Sequence, residues 1–274
     1  MAWYYNGTPA ACTFFALDYV IPRVWGNNTL PDLFVSGPNQ GSNAGPFVYE
    51  LSGTLGATYS AIQRNIPGIA FSAVNSTRRY YGNVSGEYDP ATLGAKAGAA
   101  LINQLVSNVP TGQRLLPLGY GINVNLPLLN ETCSNPPFVQ TRMTGGAAVD
   151  RAVQDPETGL FDWENIYEDG VNACINGDCS LPGETNVIKG CAISVSVFTT
   201  DYDAPNCAGS AVVRNLFEPL VEYSQGGSSN STSGNSTAST TSSAEPVQQT
   251  VNGGGVVGTK LSLVLAMAGL AILL

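Results

Sequence analysis

Pro31-Asp32-Leu33-Phe34-Val35-Ser36-Gly37-Pro38-Asn39-Gln40-Gly41-Ser42-Asn43 decides the fold. Its first six residues form a short apolar run, which predicts a buried strand over 31–36. A loop rich in glycine and asparagine is expected over 37–45. Ser52-Gly53-Thr54 then opens a helix. Leu55, Tyr59, Ile62 and Ile66 share one face of it, and Pro67 stops it. Gly68–Ser72 predicts a second buried strand. Asp89 is an N-cap with Pro90 at the first helical position, and Leu93, Ala97, Leu101 and Leu105 line the helix behind it. Ile122, Val124 and Leu126 alternate with Asn123 and Asn125, a strand with one polar face. A late strand is expected over Ala192–Phe198 and a closing helix over Ala208–Tyr223. Strand alternating with helix is the pattern of a layered α/β fold with a mainly parallel sheet. No internal repeat is visible.

Composition narrows the chemistry. The 274 residues suit one large domain, or a domain with an appendage. Only 11% are charged, and 11 Lys+Arg against 20 Asp+Glu leave a net charge of −9. So acidic a surface does not coat a phosphate backbone, and no nucleic-acid duplex is expected as a partner. The chain has no histidine, which removes Ser-His-Asp triads, Cys-His pairs and His-ligated zinc. Carboxylates, amides, hydroxyls, backbone dipoles or an oxygen-ligated metal remain.

The chain's ends point to the secretory route. Asn-x-Ser/Thr sequons stand at Asn6, Asn27, Asn75, Asn83, Asn130, Asn230 and Asn235. Six cysteines (Cys12, Cys133, Cys174, Cys179, Cys191 and Cys207) are expected to be mostly paired there. Cys174 and Cys179 flank the turn dipeptide Asn176-Gly177, the one pairing the sequence suggests. Residues 224–250 are rich in Ser, Thr, Gly and Asn, an extended stalk that cannot bury a core. The uncharged stretch Leu261–Leu274 would span about 21 Å as a helix, short of a bilayer core. With the small residues before it, this tail predicts a GPI-attachment signal with its ω site at Asn252 or Gly253; the alternative is a short membrane anchor. The expected division is 1–223 as the folded domain, 224–252 as the stalk and 253–274 as the signal or apolar tail, with the C-terminal tail disordered. Met1–Asn6 has no secretory leader, so the chain is expected either to lack its true beginning or to enter the pathway unconventionally.

The loop after Val35 is where open α/β sheets bind ligands. Its asparagines offer neutral carbonyl oxygens suited to Mg²⁺ or Mn²⁺. The start of the Ser52-Gly53-Thr54 helix offers N–H groups to an anion. A metal ligand beside an anion cradle suggests phosphate-ester hydrolysis. The loop is not a P-loop, because the Gly-Lys-Ser/Thr ending is missing, and its spacing is not that of a dinucleotide fingerprint.

These residues resemble a family. Residues 31–43 are similar to the "PDLVVSGxNxGxN" motif of the SurE-like phosphatases and nucleotidases. Ser52–Ala57 resembles their "SGTVGAA", Ile66–Ser72 their "IPSIAxS", and Asn123–Pro127 their "NINxP". Gly7-Thr8-Pro9 with Cys12 resembles "GTPxDC", and Ala192–Phe198, running on to Asp201 or Asp203, the closing "VSITPLxxD". The resemblance covers residues 7–223. It implies a Rossmann-like three-layer domain lacking its first strands, and a metal-dependent phosphomonoesterase acting on nucleoside monophosphates or broadly as an acid phosphatase. It makes Asn39 the metal ligand and, with Asn43, a catalytic residue. It places Ser36, Gly37, Ser52, Gly53 and Thr54 at the phosphate. It also implies dimers or tetramers through swapped C-terminal segments, here by position Arg142–Asp178; Trp163 and Tyr167 in that stretch either anchor an interface or, as such aromatics more often do, pack within their own chain.

The family's metal is held mainly by two adjacent aspartates and a serine in segments that precede the resemblance. This chain has no Asp-Asp dipeptide. A lone neutral amide does not hold a hard dication against water, so the chain as it stands is expected to lack the family activity. A second reading is a non-catalytic GPI-anchored surface glycoprotein built on a degenerate domain of this type.

Overall fold

The computed structural model describes residues 2–45, 51–74, 79–80, 82–144, 149–167, 175–205, 207–217, 220, 263–267 and 270–273. In chain order the elements are strand β1 (Ala2–Tyr4), helix α1 (Pro9–Phe15), a π-helical turn (Ala16–Val20), α2 (Ile21–Trp25), β2 (Leu33–Gln40), α3 (Gly53–Ile62) and β3 (Gly68–Ala73). There follow α4 (Pro90–Asn108), β4 (Tyr120–Leu126), β5 (Phe138–Thr141), β6 (Val149–Gln154), β7 (Phe161–Tyr167), α5 (Glu184–Ile188), β8 (Ile193–Thr199), α6 (Ala208–Asn215), β9 (Leu263–Met267) and β10 (Leu270–Leu273). The chain divides into two units, Met1–Tyr202 with Lys260–Leu274, and Asp203–Thr259. In the second unit α6 follows Cys207, and the Ser210 hydroxyl donates to the Pro205 carbonyl at 2.6 Å.

An eight-stranded sheet runs in the order β1-β10-β9-β2-β3-β4-β8-β5. The pairs β9–β2, β2–β3, β3–β4 and β8–β5 are parallel; β1–β10, β10–β9 and β4–β8 are antiparallel. The α/β, mainly parallel expectation is therefore met. On one face, α3 packs Leu55, Tyr59 and Ile62 against Ala70, Met143 and Phe198, and Ala57 and Ala61 join Phe34, Leu17 and Ile21. On the other face Leu93, Ala97, Leu101 and Leu105 of α4 meet Phe71, Val124 and Leu126. Helix, sheet, helix are the three layers. β6 and β7 pair with each other as a separate two-stranded sheet.

The capping signals operate as the sequence suggests. The Ser52 hydroxyl accepts from Leu55 N at 3.0 Å, and the Asp89 carboxylate accepts from Ala91 N at 2.9 Å. Three boundaries differ from expectation. β2 runs on to Gln40 through a register shift between Ser36 and Asn39, so the expected loop is half strand. α3 ends at Ile62, because Asn65 takes a positive φ of 64° three residues on; Ile66 is still buried. The closing helix stops at Asn215.

Cys133 and Cys191 form a disulfide across 58 residues. Cys179 is also disulfide-bonded; Cys174, its expected partner, lies outside the described residues. Cys12 is a buried free thiol and Cys207 an exposed one. The expected stalk, Asn252 and Gly253 lie outside the described residues, as do Asn75, Asn230 and Asn235. So do the side chains of Trp163 and Tyr167. Asn6, Asn27, Asn83 and Asn130 are exposed. The tail, expected to be disordered, is described only at its end, where β9 lies parallel to β2 in the register Leu33↔Leu263 to Ser36↔Ala266, and β10 turns back on it. An uncharged apolar segment suits that place, because an unpaired parallel edge leaves backbone amides and carbonyls without partners. Among the described residues no helix is long and apolar enough to cross a membrane.

Candidate functional site

The register of the parallel strands builds the site. Asn39 on β2 stands opposite Ser72 on β3, and Ser72 opposite Asn125 on β4. Across the antiparallel pair, Asn125 stands opposite Ser194 on β8. One row of amides and hydroxyls thus crosses four neighbouring strands near the carboxyl ends of β2, β3 and β4, where such sheets bind ligands. A second row lies beneath it, with Asn123 opposite Ser196 and Ser196 opposite Thr141. The polar face of β4 therefore turns inward. Ser72, Asn123 and Asn125 are each 0% exposed. Burial of so many amides is tolerable only if they bond one another.

They do. Asn39 Oδ1 accepts three hydrogen bonds, from Asn43 Nδ2 at 2.7 Å, Ser72 Oγ at 2.7 Å and Thr54 Oγ1 at 2.9 Å. Asn39 Nδ2 donates to the Gln40 and Gly41 carbonyls, each at 3.0 Å. Asn43 is held by its backbone as well. Its N–H donates to Asn125 Oδ1 at 2.8 Å, and its carbonyl accepts from Asn125 Nδ2 at 3.0 Å and Asn123 Nδ2 at 3.1 Å. The structure thus brings Asn39, Asn43 and Thr54 together, as the sequence predicts, with Ser72, Asn123 and Asn125 as the frame.

The remaining predicted positions serve geometry. Ser36 is buried within β2. Gly37 has φ +95°, and a Cβ there would lie 2.1 Å from the Phe71 carbonyl oxygen, so β2 and β3 approach only because this residue is glycine. The Gly37–Pro38 peptide is cis. A Cβ on Gly53 would lie 2.6 Å from Pro9 Cγ, so this glycine lets α1 meet the start of α3. Ser52 spends its hydroxyl on the α3 cap.

Sequence reasoning placed Ser72, Asn123 and Asn125 in strands without assigning them to the site, and it missed Glu184 altogether. It is fully buried at the start of α5. Oε2 accepts from Gly45 N at 2.9 Å and Oε1 from Asn123 Nδ2 at 2.8 Å; Ser196 also bonds the carboxylate. Burial pushes its carboxyl up to about 7 against the pull of these three donors. Gly45 and Asn123 lie 139 and 61 residues from Glu184 in the chain, so no local pattern reveals the meeting.

A model of the "Survival protein SurE" family matches residues 1–149, more than half of the chain. This chain belongs to the SurE family. It is 45% identical over 234 residues to an acid phosphatase of Yarrowia lipolytica, covering 82% of this chain and 64% of that protein. It is 46% identical over 70 residues to a 5'-nucleotidase SurE of Protochlamydia amoebophila, covering 26% of this chain and 24% of that one. It is 34% identical over 131 residues to a 5'-nucleotidase SurE of Trichodesmium erythraeum, covering 48% and 40%. The chain thus spans less than two thirds of each of these relatives. The crystal structure of SurE from Aquifex aeolicus aligns with a TM-score of 0.49 at 22% identity, covering 77% of this chain and 73% of that one.

SurE proteins generally depend on a divalent metal. The residues present do not fit one. Among the described residues no three His, Cys, Asp or Glu side chains cluster. Asn39 Oδ1, the expected ligand, already accepts three donors. Both oxygens of Glu184, the one acid in the network, are engaged and buried. A hard dication needs several oxygen ligands, usually including carboxylates. What the site offers instead is a set of neutral donors, Asn43 Nδ2, Thr54 Oγ1 and Ser72 Oγ, converging on one point.

Proposed function

We propose that this chain is a phosphomonoester hydrolase of the phosphatase/nucleotidase type, with the phosphoryl group bound where Asn39 and Asn43 meet the start of α3. The observation that carries the reading is the convergence of Asn43 Nδ2, Ser72 Oγ and Thr54 Oγ1 on the Asn39 amide at the carboxyl end of the sheet. A phosphoryl oxygen at this point gives Thr54 and Asn43 a charged acceptor in place of a neutral one, and such bonds are roughly twice as strong. To reach a phosphoryl oxygen these donors must leave Asn39 Oδ1, so binding exchanges neutral bonds for charge-assisted ones while the buried frame of Asn123 and Asn125 holds the Asn43 backbone in place. The names of the relatives, acid phosphatase and 5'-nucleotidase, support the same class.

Hydrolysis is proposed to need Mg²⁺ or Mn²⁺, as in the family. Because the described donors fall short of a dication site, the 274-residue chain is proposed to bind phosphomonoesters far better than it hydrolyses them. The seven sequons and the apolar tail support surface display in the secretory pathway, through a GPI anchor or the tail itself. The position of residues 142–178 supports subunit exchange in a dimer or tetramer. The test is a titration of the chain with AMP and with p-nitrophenyl phosphate, followed by amide resonances, alongside turnover with and without Mn²⁺. Saturable shifts at Asn39, Asn43 and Thr54 with slow turnover are the expected result. Shifts elsewhere, or none, reject the site.

A further inference from the structure

We propose that Glu184 is a positioning residue: its carboxylate clamps the Asn43–Gly45 turn onto β4 and thereby aims the Asn39–Asn43 pair at the phosphoryl group. The inference rests on the phosphomonoester site proposed above. The geometry has two arms. Oε2 takes the Gly45 N–H directly, at 2.9 Å. Oε1 takes Asn123 Nδ2 at 2.8 Å, and the same amide nitrogen donates to the Asn43 carbonyl at 3.1 Å. From Asn43 the chain of bonds passes through Nδ2 to Asn39 Oδ1 and Ser72 Oγ. Glu184 therefore holds the Gly45 end of this three-residue segment directly and the Asn43 end through Asn123. It is itself seated from behind, because Ser196, which bonds its carboxylate, is within 2.7 Å of Thr141 Oγ1. Its own backbone N–H donates to the Arg142 carbonyl at 3.3 Å.

A plain structural acid does not account for this placement. Burying a carboxyl costs free energy, and burial raises this one to about 7 despite three donors. A glutamine or an apolar side chain would fill the space at lower cost. What only a carboxylate supplies here is two acceptors facing two N–H donors at once. An amide in its place turns an NH₂ towards one of them and opens one arm.

The test uses the 274-residue chain and Glu184→Gln, which keeps the volume. Melting temperature, amide exchange at residues 43–45 and affinity for inorganic phosphate are measured for each at pH 8, above the value of about 7 to which burial raises the carboxyl, so that both oxygens act as acceptors. Glu184→Gln is expected to melt at or above the original temperature at pH 8, to speed exchange of the 43–45 amides at least tenfold, and to weaken phosphate at least fivefold. In an Asn43→Ala background, Glu184→Gln is expected to change phosphate affinity less than twofold, because the path from the clamp is already cut. Unchanged exchange in Glu184→Gln overturns the clamp. So does an undiminished fivefold effect in the Asn43→Ala background, which would mean that Glu184 acts elsewhere. If the unsubstituted chain binds no phosphate, the phosphomonoester reading fails, and the exchange result alone decides whether the clamp exists.

Discussion

Glu184 makes the stability of this chain depend on pH between about 4.5 and about 7. Its carboxyl titrates at about 7 in the folded chain, against 4.5 for the ordinary group. The folded state therefore holds a proton that the unfolded state has lost. With the folded value raised, the contribution is fully present below pH 4.5 and is lost as pH rises through about 7. The gap corresponds to about 3 kcal/mol, since each pH unit is worth about 1.4 kcal/mol. The chain has no histidine, so no imidazole titrates in the same range. Asp18, Asp89, Asp155 and Asp178 are all held below the usual carboxylate range by hydrogen bonds, from Arg64, Arg79, Thr158 and Ser180 foremost. Their contributions are present above pH 3.8 and vanish only towards stronger acid. Urea unfolding at pH 4.5, 6, 7 and 8 should show stability falling by about 3 kcal/mol across the series. Glu184→Gln should remove most of that slope. Parallel curves for the two chains would refute a buried, proton-holding Glu184.

Gly37→Ala should destabilise the fold by more than about 2 kcal/mol in urea, since the new Cβ meets the Phe71 carbonyl at a positive φ. Cys133→Ser should lower stability by about 4 kcal/mol, from the 58-residue separation that the disulfide closes. Addition of reductant should then leave the variant's melting temperature far less changed than the parent's. Thr54→Val removes one of three donors to Asn39 Oδ1. It should cost about 1 kcal/mol of stability, and AMP affinity should fall severalfold with the melting curve otherwise cooperative.

Much of this arrangement is legible in the chain. The 31–43 stretch, the Ser52 cap and the Asp89-Pro90 helix start are local signals, and each operates as its residue types dictate. The alternation Asn123-Val124-Asn125-Leu126 marks a strand with a polar face. What it does not reveal is that this face is buried, because that depends on which strands and helix lie across it. The end of β2 departs from its composition for a similar reason. Gly37-Pro38-Asn39-Gln40 has loop composition, yet pairing with β3 extends it as strand beyond a register shift. Glu184 is illegible locally. Nothing about Pro182-Gly183-Glu184-Thr185 distinguishes a surface acid from a buried clamp until Gly45 and Asn123 are folded against it. The same holds for Cys133 and Cys191, which no turn dipeptide brings together.

The central claim is that the amides and hydroxyls around Asn39 form a phosphomonoester site. The most direct measurement is AMP affinity by calorimetry for the 274-residue chain and for Asn39→Ala. Asn39 is half-buried at the end of β2 and outside the apolar core, so its loss should leave the fold standing. The account predicts one saturable site whose affinity falls at least tenfold in Asn39→Ala, about 1.4 kcal/mol. AMP binding of equal strength in both chains, or none in either, would contradict it.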